Sequence, residues 1–581
     1  MAPELNTKNA LPRSPPVPSY SQIACVGAGI SGIALGATLK RWYNMDDIRY
    51  FERHSDCGGT WHISSYPGRA TYFPLITSPT NLRYTHAGCA CDVPSALYSY
   101  SFAPNPTWTK LMPSHHEIKK YQQDVADQYG LRQRMTFRTE VKECIWRDDA
   151  SRWLMTLRNV DTDEISYHEC QILFGATGVL VEPRKCDIPG AESFRGSLFH
   201  SARWNHDVSL KDKKVVVIGN GCTAAQIVPA IMEEAGSITQ IIRSQHWVVE
   251  AANLVYTPTM LWAFKHIPGL QWLHRFAIYQ AAEEDWKLFP MTRSSARYRQ
   301  KRRTEIERYM RRTAPERYHD ILVPDFEVGC KRRVFDCGYL TSLHNKKMHL
   351  TNAPIESISP TGLQSSSGLI EADVIVLATG FNTNTFLPGM TVQGRNGVTI
   401  DEHWGRQNGP GAYNTTSMNG FPNFFLLLGP NTVTGHTSAV MAAENSVNYA
   451  LRILKPVLQG SASAVEVKSH SEDIYVQKMQ DALKKTVWHA GCHSWYVNDK
   501  SWNAMVYPWS QAHFWYRCLF PVWRDWNVKW TQKPTTSRNW KRILLVLLLV
   551  IAIGATNRAV GQRGVETLMS VVGALRKRLG A

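Results

Sequence analysis

Two glycine-rich turns in this chain have the form that closes a protein backbone on a pyrophosphate. Gly27, Gly29 and Gly32 follow an apolar run at the spacing G-x-G-x-x-G, and Gly219 and Gly221 follow a second apolar run. A strand that ends in glycines and continues into a helix places backbone N–H groups and the positive end of the helix dipole against phosphate. The chain therefore has the layout of a protein with two dinucleotide-binding units.

An acidic residue follows the first turn at the distance that ribose binding requires. The predicted strand Ile48–Phe51 leads into Glu52, twenty residues after Gly32. A carboxylate at this position accepts hydrogen bonds from the ribose of an adenosine. The alternative is a tight glycine turn without a ligand, but the order of strand, glycines, helix, strand and acid favours nucleotide binding.

Length and charge restrict the kinds of protein that the chain can be. Its 581 residues are more than one core usually holds, which predicts two or three domains. The formal net charge of +17 suits a cofactor with several phosphates or an anionic membrane face. The arginine-rich stretch 294–312 is interpreted as a solvated helix surface without a nucleic-acid motif, so we expect no nucleic-acid partner.

The cysteines and the N-terminus bear on metal binding and location. The twelve cysteines are scattered, without a C-x-x-C pair or a histidine cluster at zinc spacing, so no metal site is predicted. Residues 1–20 are rich in Pro and Ser and lack the apolar segment of a secretory signal. We expect an intracellular protein with reduced thiols, either cytoplasmic or attached to a membrane by its C-terminal segment.

A third motif lies between the two glycine turns. Its members, at the spacing F-x-G-x-x-x-H-x-x-x-W, are Phe194, Gly196, His200 and Trp204. This arrangement resembles the fingerprint of Baeyer–Villiger monooxygenases, which are FAD- and NADPH-dependent enzymes of the flavin-containing monooxygenase superfamily. The resemblance covers residues 22–530, with Asn205 where the family usually has Pro or Asp. An isolated histidine would be interpreted as a core residue, and the surrounding motifs favour the fingerprint instead.

The resemblance implies an α/β fold with two Rossmann-like dinucleotide-binding domains and a helical insertion at 257–320. Strand-then-A-T-G units at 174–178 and 374–380 are similar to the family's crossovers between the two domains. The expected divisions are a disordered N-terminus at 1–20, an FAD-binding domain at 21–180 and 376–530, an NADPH-binding domain at 181–375 and a basic tail at 531–581.

The same resemblance implies the cofactor contacts. FAD is expected to contact the first turn and its acid, the G-G-x-W segment, an aspartate and the G-P-N segment: Gly27, Gly29, Gly32, Glu52, Gly59, Thr60, Trp61, Asp92 and Asn431. NADPH is expected to contact Gly219, Gly221, Thr223, Arg243 and Lys331. A guanidinium at Arg243 suits the 2′-phosphate because it makes two charge-assisted hydrogen bonds at once, and a solvated arginine is the alternative.

Arg332 and Asp92 are the expected catalytic residues, and the resemblance places Asp92 near the flavin. The segment Gly329–Tyr339 resembles the family's K-R-x-x-x-x-x-x-Y element, which places Arg332 over the flavin. In the implied reaction a flavin C4a-peroxide must remain deprotonated to attack a ketone, and a fixed positive charge stabilises that anion and the adduct. Arg333 is an adjacent rival, and the register to Tyr339 favours Arg332.

One stretch interrupts the resemblance. Tyr66-Pro67-Gly68 is normally followed closely by the continuation that contains Asp92, but residues 69–88 stand between the two halves. They have no periodic apolar pattern. The stretch is either a translated intron or a genuine loop insertion beside the flavin.

The C-terminal tail contains an apolar segment at 543–555. Its thirteen residues fall short of the ~20 that span a bilayer. Lys541, Arg542 and Arg558 flank the segment and tryptophans precede it, an interfacial arrangement. Membrane association through the tail and a helix packed on the protein body are the two alternatives.

The implied function is the insertion of one atom of O2 next to a ketone carbonyl, which gives an ester or lactone, in specialised-metabolite biosynthesis. One alternative is a flavin monooxygenase that oxidises nitrogen or sulfur or hydroxylates its substrate. A second alternative is a scaffold without flavin, disabled by residues 69–88.

Overall fold

The computed structural model describes residues 17–68, 89–251, 253–383, 385–492 and 494–531. The predicted insertion 69–88 and the apolar tail segment 543–555 lie outside this part of the chain. Contacts divide the chain into residues 1–529 and residues 530–581, and nearly all described residues belong to the first unit. Within the described ranges, no helix is both long enough and apolar enough to cross a bilayer.

Strands and helices alternate through most of the chain. The strands are β1 Ser19–Val26, β2 Ile48–Phe51, β3 Met135–Thr136, β4 Thr139–Arg147, β5 Arg152–Asn159, β6 Ile165–Gly175, β7 Ser197–His200, β8 Lys214–Ile218, β9 Ser237–Ile241, β10 Val248–Glu250, β11 Val334–Asp336, β12 Met348–Thr351, β13 Ile355–Ser359, β14 Gly362–Ser365, β15 Gly368–Glu371, β16 Val374–Leu377, β17 Thr391–Gln393, β18 Phe424–Leu426, β19 Ala462–Val467 and β20 Trp526–Trp530. The α-helices are α1 Ile30–Tyr43, α2 Thr60–Ile63, α3 His115–Gln128, α4 Cys222–Ile231, α5 Pro258–His266, α6 Leu270–Glu284, α7 Arg293–Thr313, α8 His319–Leu322, α9 Tyr339–Ser342, α10 Ile400–Gly405, α11 Ala439–Ile453, α12 Lys455–Leu458, α13 Ser469–Leu483 and α14 Gln511–Leu519.

The first glycine turn leaves the centre of the larger sheet. This sheet has the order β17-β4-β5-β6-β1-β2-β3, and β18 also pairs with β6. β1 runs parallel to β2 and to β6, and its last six residues include Ile23, Ala24 and Cys25, which are fully buried. A continuous apolar run suits a strand covered on both faces. The turn after β1 therefore lies at the carboxyl edge of the sheet, where dinucleotides bind in such folds.

The second glycine turn leaves a smaller, all-parallel sheet. Its order is β12-β9-β8-β16-β7, and every neighbouring pair is parallel. All four residues of β16 pair with both β7 and β8. The chain therefore leaves this sheet after Leu377, two residues beyond the predicted division at residue 375, before it rejoins the larger sheet at β17 and β18.

The region of the predicted helical insertion contains three well-formed helices. α5 follows its N-cap residue Thr257, whose side chain accepts a hydrogen bond from the Met260 N–H. α7 begins in the same way behind Thr292, which accepts from the Ser295 N–H. These caps satisfy N–H groups that a helix start otherwise leaves without a partner. α7 carries the arginine-rich stretch predicted as helix.

One pair of cysteines departs from the expectation of reduced thiols. Cys330 and Cys492 form a disulfide across a sequence separation of 162 residues. The other ten cysteines are free. The expectation is therefore wrong for this pair, since scattered cysteines at such a separation carry no local sign of pairing.

Candidate active site

The first glycine turn has the close backbone approaches that a pyrophosphate site requires. Gly27 has φ +107°, and a Cβ there would lie 2.5 Å from the carbonyl oxygen of Ala176. α1 begins behind Gly29, with no side-chain cap and no acidic residue in its first turn. Its N–H groups thus have no competing anion, which fits the phosphates of the expected FAD.

Glu52 lies at the position predicted for ribose binding. Its carboxylate accepts hydrogen bonds from the Ala28 N–H at 2.9 Å and from the His54 N–H at 3.0 Å. Burial raises the pKa of Glu52, although these hydrogen bonds lower it in part. The two N–H groups fix the carboxylate beside the turn and leave further lone pairs for ribose hydroxyls.

The G-G-x-W segment lies against the same turn. A Cβ on Gly59 would approach the Cα of Gly29 to 3.1 Å, so the two backbones face each other closely. Thr60 is the first residue of α2. Trp61 donates a hydrogen bond from its indole nitrogen to the Tyr98 hydroxyl at 2.9 Å. The structure therefore brings both predicted FAD segments together.

The second glycine turn repeats this arrangement in the smaller sheet. Gly219 has φ +129°, and a Cβ there would lie 2.3 Å from the carbonyl oxygen of Ala378. α4 begins behind Gly221, again without a side-chain cap or an acidic residue in the first turn. Thr223 lies in the first turn of this helix and is partly exposed.

Two cations lie beside the second turn. Arg243 is exposed at the end of β9, and Lys331 is buried, with its ammonium 4.6 Å from the Phe326 ring centre. Burial, followed by the charge of Arg243, lowers the pKa of Lys331. Neither cation has a carboxylate within ion-pair distance among the described residues. Two neighbouring cations without such a partner fit an anion of the size and charge of a 2′-phosphate.

Arg332 and Asp92 form an ion pair beside the second turn. Nε and Nη2 of Arg332 donate to the two carboxylate oxygens of Asp92 at 3.1 and 2.6 Å. The side chains are 33% and 18% exposed, so both remain accessible to a ligand. Asp92 is the main cause of a raised pKa of Arg332, which keeps the guanidinium charged.

The first residue of α4 connects this ion pair to the second turn. The thiol of Cys222 is 3.8 Å from the Asp92 carboxylate and 3.9 Å from the Arg333 carbonyl oxygen. Burial raises the pKa of Cys222 to about 12, so the thiol is neutral. The sequence analysis did not name Cys222, although its place directly after Gly221 is a local sign that it borders the site.

The rival arginine has a different partner. Arg333 donates to the Asp285 carboxylate at 2.6 Å, and its side chain is 11% exposed. Tyr339, which defined the register, is fully buried and donates to Gln240 at 2.9 Å. Of the two neighbouring arginines, the structure places Arg332 beside Asp92 and pairs Arg333 with Asp285, directly after α6 within the helical insertion.

The motif from Phe194 to Trp204 lies where the chain passes from the larger sheet into β7 of the smaller sheet. His200 accepts from the Ala202 N–H through Nδ1 at 3.0 Å, so Nε2 carries the proton that it donates to the Gly380 carbonyl oxygen at 3.1 Å. Burial lowers the pKa of His200. A Cβ on Gly196 would lie 2.6 Å from the Phe194 ring, and Trp204 packs edge-on against Phe199. Through His200, the motif therefore holds the chain segment that follows β16 in place.

Asn431 uses its side chain within the protein. The amide nitrogen donates to the carbonyl oxygens of Asn503 at 2.8 Å and Val506 at 3.1 Å. Both amide hydrogens therefore hold the G-P-N loop against residues 503–506. The backbone N–H of Asn431 also donates to the Ala504 carbonyl oxygen at 2.7 Å, so any contact with FAD has to come from the carbonyl or amide oxygen of Asn431.

Comparison with known proteins gives similar sequences and folds. The model of the flavin-binding monooxygenase-like family matches residues 20–266. A Baeyer–Villiger monooxygenase of Streptomyces coelicolor is 30% identical over 507 residues, which cover 86% of this chain and 91% of that protein. An uncharacterized monooxygenase of Mycobacterium tuberculosis is 34% identical over 492 residues, covering 84% and 92%.

Solved structures share the fold. An oxidized steroid monooxygenase bound to NADP has a TM-score of 0.74 and 24% identity, covering 88% of this chain and 100% of that one. A closed cyclohexanone monooxygenase has a TM-score of 0.75 and 21% identity, with the same coverage. The predicted α/β fold class with Rossmann-like sheets is confirmed.

Proposed function

The chain belongs to the Baeyer–Villiger monooxygenases within the flavin-binding monooxygenase-like proteins, and on that basis we propose that it uses FAD, NADPH and O2 to convert a ketone into an ester or lactone. One atom of O2 enters next to the carbonyl carbon and the other becomes water. The observation that carries the proposal is the ion pair of Arg332 with Asp92 beside the second of two glycine turns that each fit a pyrophosphate. We place the reaction in specialised-metabolite biosynthesis, as the sequence resemblance implies.

Each side chain has a distinct task in this proposal. FAD, once reduced by NADPH, supplies the activation of O2. Arg332 holds a permanent positive charge where negative charge develops on oxygen, and Asp92 fixes the plane of the guanidinium through two hydrogen bonds. Arg243 and Lys331 hold the 2′-phosphate of NADPH. Burial of Lys331 reduces the solvation of its ammonium, which strengthens its attraction to that phosphate.

The arginine also separates this function from the oxidation of nitrogen or sulfur. Attack on a ketone requires an anionic oxygen nucleophile, which a neighbouring guanidinium stabilises. Oxidation of an amine or sulfide uses a protonated electrophile, which gains nothing from a cation. The position of Arg332 therefore favours ketones as the substrate class.

Incubation with a panel of cyclic and polyketide-like ketones tests the proposal. We expect ketone-dependent NADPH consumption under O2 and a product whose mass has increased by one oxygen atom. Parallel reactions with amines and sulfides of similar size serve as the control. Oxygenated amines or sulfides without any ester or lactone would contradict the proposal, and a colourless purified protein would support a scaffold without flavin.

A single methyl group at the first glycine turn is expected to remove FAD. In Gly27→Ala the new Cβ would collide with the Ala176 carbonyl oxygen at 2.5 Å in a left-handed backbone conformation. Gly368→Ala is the matched control, because its φ of +111° is nearly the same as +107° at Gly27 and its Cβ meets open space. Both variants carry the conformational cost of about 1–3 kcal/mol, and only the first disturbs the turn.

The measurement is the flavin absorbance per protein together with the melting temperature. We expect Gly27→Ala to lose most of its bound flavin, while Gly368→Ala remains yellow with a modest decrease in melting temperature. Equal flavin content in the two variants would show that the first turn does not hold FAD.

A further inference from the structure

The disulfide joins the loop of the predicted catalytic arginine to a loop near the C-terminus. Cys330 is 1% exposed and stands two residues before Arg332. Cys492 is partly exposed and stands four residues before Tyr496. The Cα atoms of the two cysteines are 6.2 Å apart. We call residues 327–333 the arginine loop, and residues 487–492 and 494–498 the aromatic loop.

The aromatic loop packs on the arginine loop through a row of rings. Phe289, between α6 and α7 of the helical insertion, stacks on Trp488 with ring centres 4.5 Å apart. Trp488 meets Tyr496 edge-on at 6.3 Å, and Tyr496 lies 4.4 Å from Trp495. Gly329 of the arginine loop lies against Phe289, because a Cβ added to Gly329 would be 3.5 Å from the ring. The disulfide closes this row covalently.

Tyr496 lies in the electrostatic field of the ion pair. The residue is 3% exposed, and burial raises the pKa of its phenol to about 12 against the opposing charge of Arg332. Asp92 is the largest cause of the raised pKa of Arg332, and Cys222 and Tyr496 are smaller causes. The ring contacts with Trp488 and Trp495 hold Tyr496 in the aromatic loop.

We propose that the Cys330–Cys492 disulfide is a thiol-controlled clamp that holds the aromatic loop against the arginine loop and so fixes the position of Arg332, and that the reduced enzyme oxygenates its substrate less efficiently. The inference rests on the proposed function and adds a redox-sensitive positioning element to its site. Without the covalent link, only ring contacts hold the two loops together. A displacement of about 1 Å at a reacting group is enough to cost a large factor in rate.

The exposure of the two cysteines determines the route of reduction. A thiolate of a small dithiol attacks Sγ of Cys492, the partly exposed residue of the pair, the S–S bond breaks, and its electron pair leaves on Sγ of Cys330. The second thiol of the reductant then displaces Cys492. Overall the cysteine pair takes up two electrons and two protons, and the dithiol becomes a cyclic disulfide. In the reverse direction, hydrogen peroxide oxidises the two thiols to the disulfide and is reduced to two molecules of water.

Thiol counting and kinetics on the whole enzyme test the clamp. Alkylation of the denatured protein should modify the ten free cysteines before reduction and all twelve after it. Treatment with dithiothreitol, followed by its removal without oxygen, should lower the product formed per NADPH by about tenfold. Cys330→Ser and Cys492→Ser should behave like the reduced wild type and should not respond to dithiothreitol.

Two controls separate the clamp from a general effect of reduction. Cys186→Ser removes a partly exposed, free cysteine away from both loops and should keep the full response of the wild type to dithiothreitol. Proteolysis within the aromatic loop, measured without any substrate, should become faster on reduction. The rate of proteolysis shows whether the aromatic loop is released on reduction, even if the enzyme converts no ketone.

The outcomes differ for the clamp and for the proposed function. Twelve reactive thiols in the active, unreduced enzyme would overturn the clamp. A disulfide whose reduction changes neither the product formed per NADPH nor the rate of proteolysis would also overturn it. Absence of ester or lactone in both redox states, with faster proteolysis on reduction, would overturn the proposed function and leave the clamp supported.

Discussion

Arg332→Met is expected to abolish ester or lactone formation while NADPH is still oxidised. The guanidinium is the positive group in the ion pair with Asp92, and methionine occupies a similar volume without a charge. Loss of one preorganised group that stabilises a developing oxyanion costs a factor of about 10²–10³ in rate. We expect the product per NADPH to decrease by a similar factor and hydrogen peroxide to replace it. Product mass analysis and peroxide measurement on the same reactions give both quantities.

Variants of the neighbouring residues show whether charge and position at residue 332 are responsible. Arg332→Lys keeps the charge but not the two parallel hydrogen bonds to Asp92 and should recover only part of the activity. Arg333→Met breaks the pair with Asp285. This variant should have a lower melting temperature but should keep most of the product formed per NADPH. If Arg333→Met loses the product and Arg332→Met keeps it, the rival assignment is correct.

The local elements of the fold could be predicted from the sequence because their signals are local. The first predicted strand, helix and second strand correspond to β1, α1 and β2, and Glu52 follows β2 directly. The glycines, the strand before each turn and the helix after it all lie within a few residues of one another. The glycine at position 27 follows from the same pattern, whereas its neighbour Ala176, in a distant segment, does not.

Contacts between distant segments could not be predicted from spacing. The bond between Arg332 and Asp92 spans 240 residues, and only the family resemblance had named both. Three further contacts depend on how residues 492–506 and the helical insertion pack, which no local pattern specifies. They are the disulfide, the pairing of Arg333 with Asp285 and the internal hydrogen bonds of Asn431. His200 shows the same limit: its motif was recognisable, but its hydrogen bond to Gly380 required the position of β16.

Arg243→Ala is expected to raise the KM for NADPH and to leave the KM for NADH unchanged. The side chain is exposed, without a carboxylate in ion-pair distance among the described residues, and its charge lowers the pKa of Lys331. A charge-assisted hydrogen bond contributes about 1.5–3 kcal/mol, which corresponds to a KM increase of about 10- to 100-fold. NADH has no 2′-phosphate, so its binding does not include this contribution.

Arg297→Ala is the matched control for Arg243→Ala. It removes one positive charge from an exposed position of the arginine-rich helix α7, so both variants have the same net charge. If general attraction of the basic protein for an anionic cofactor were the cause, the two variants would weaken NADPH equally, and more so at low salt. An increase confined to Arg243→Ala and to NADPH assigns the 2′-phosphate to the end of β9. Equal changes for NADPH and NADH would place Arg243 outside the phosphate site and leave Lys331 as the remaining cation beside the second turn.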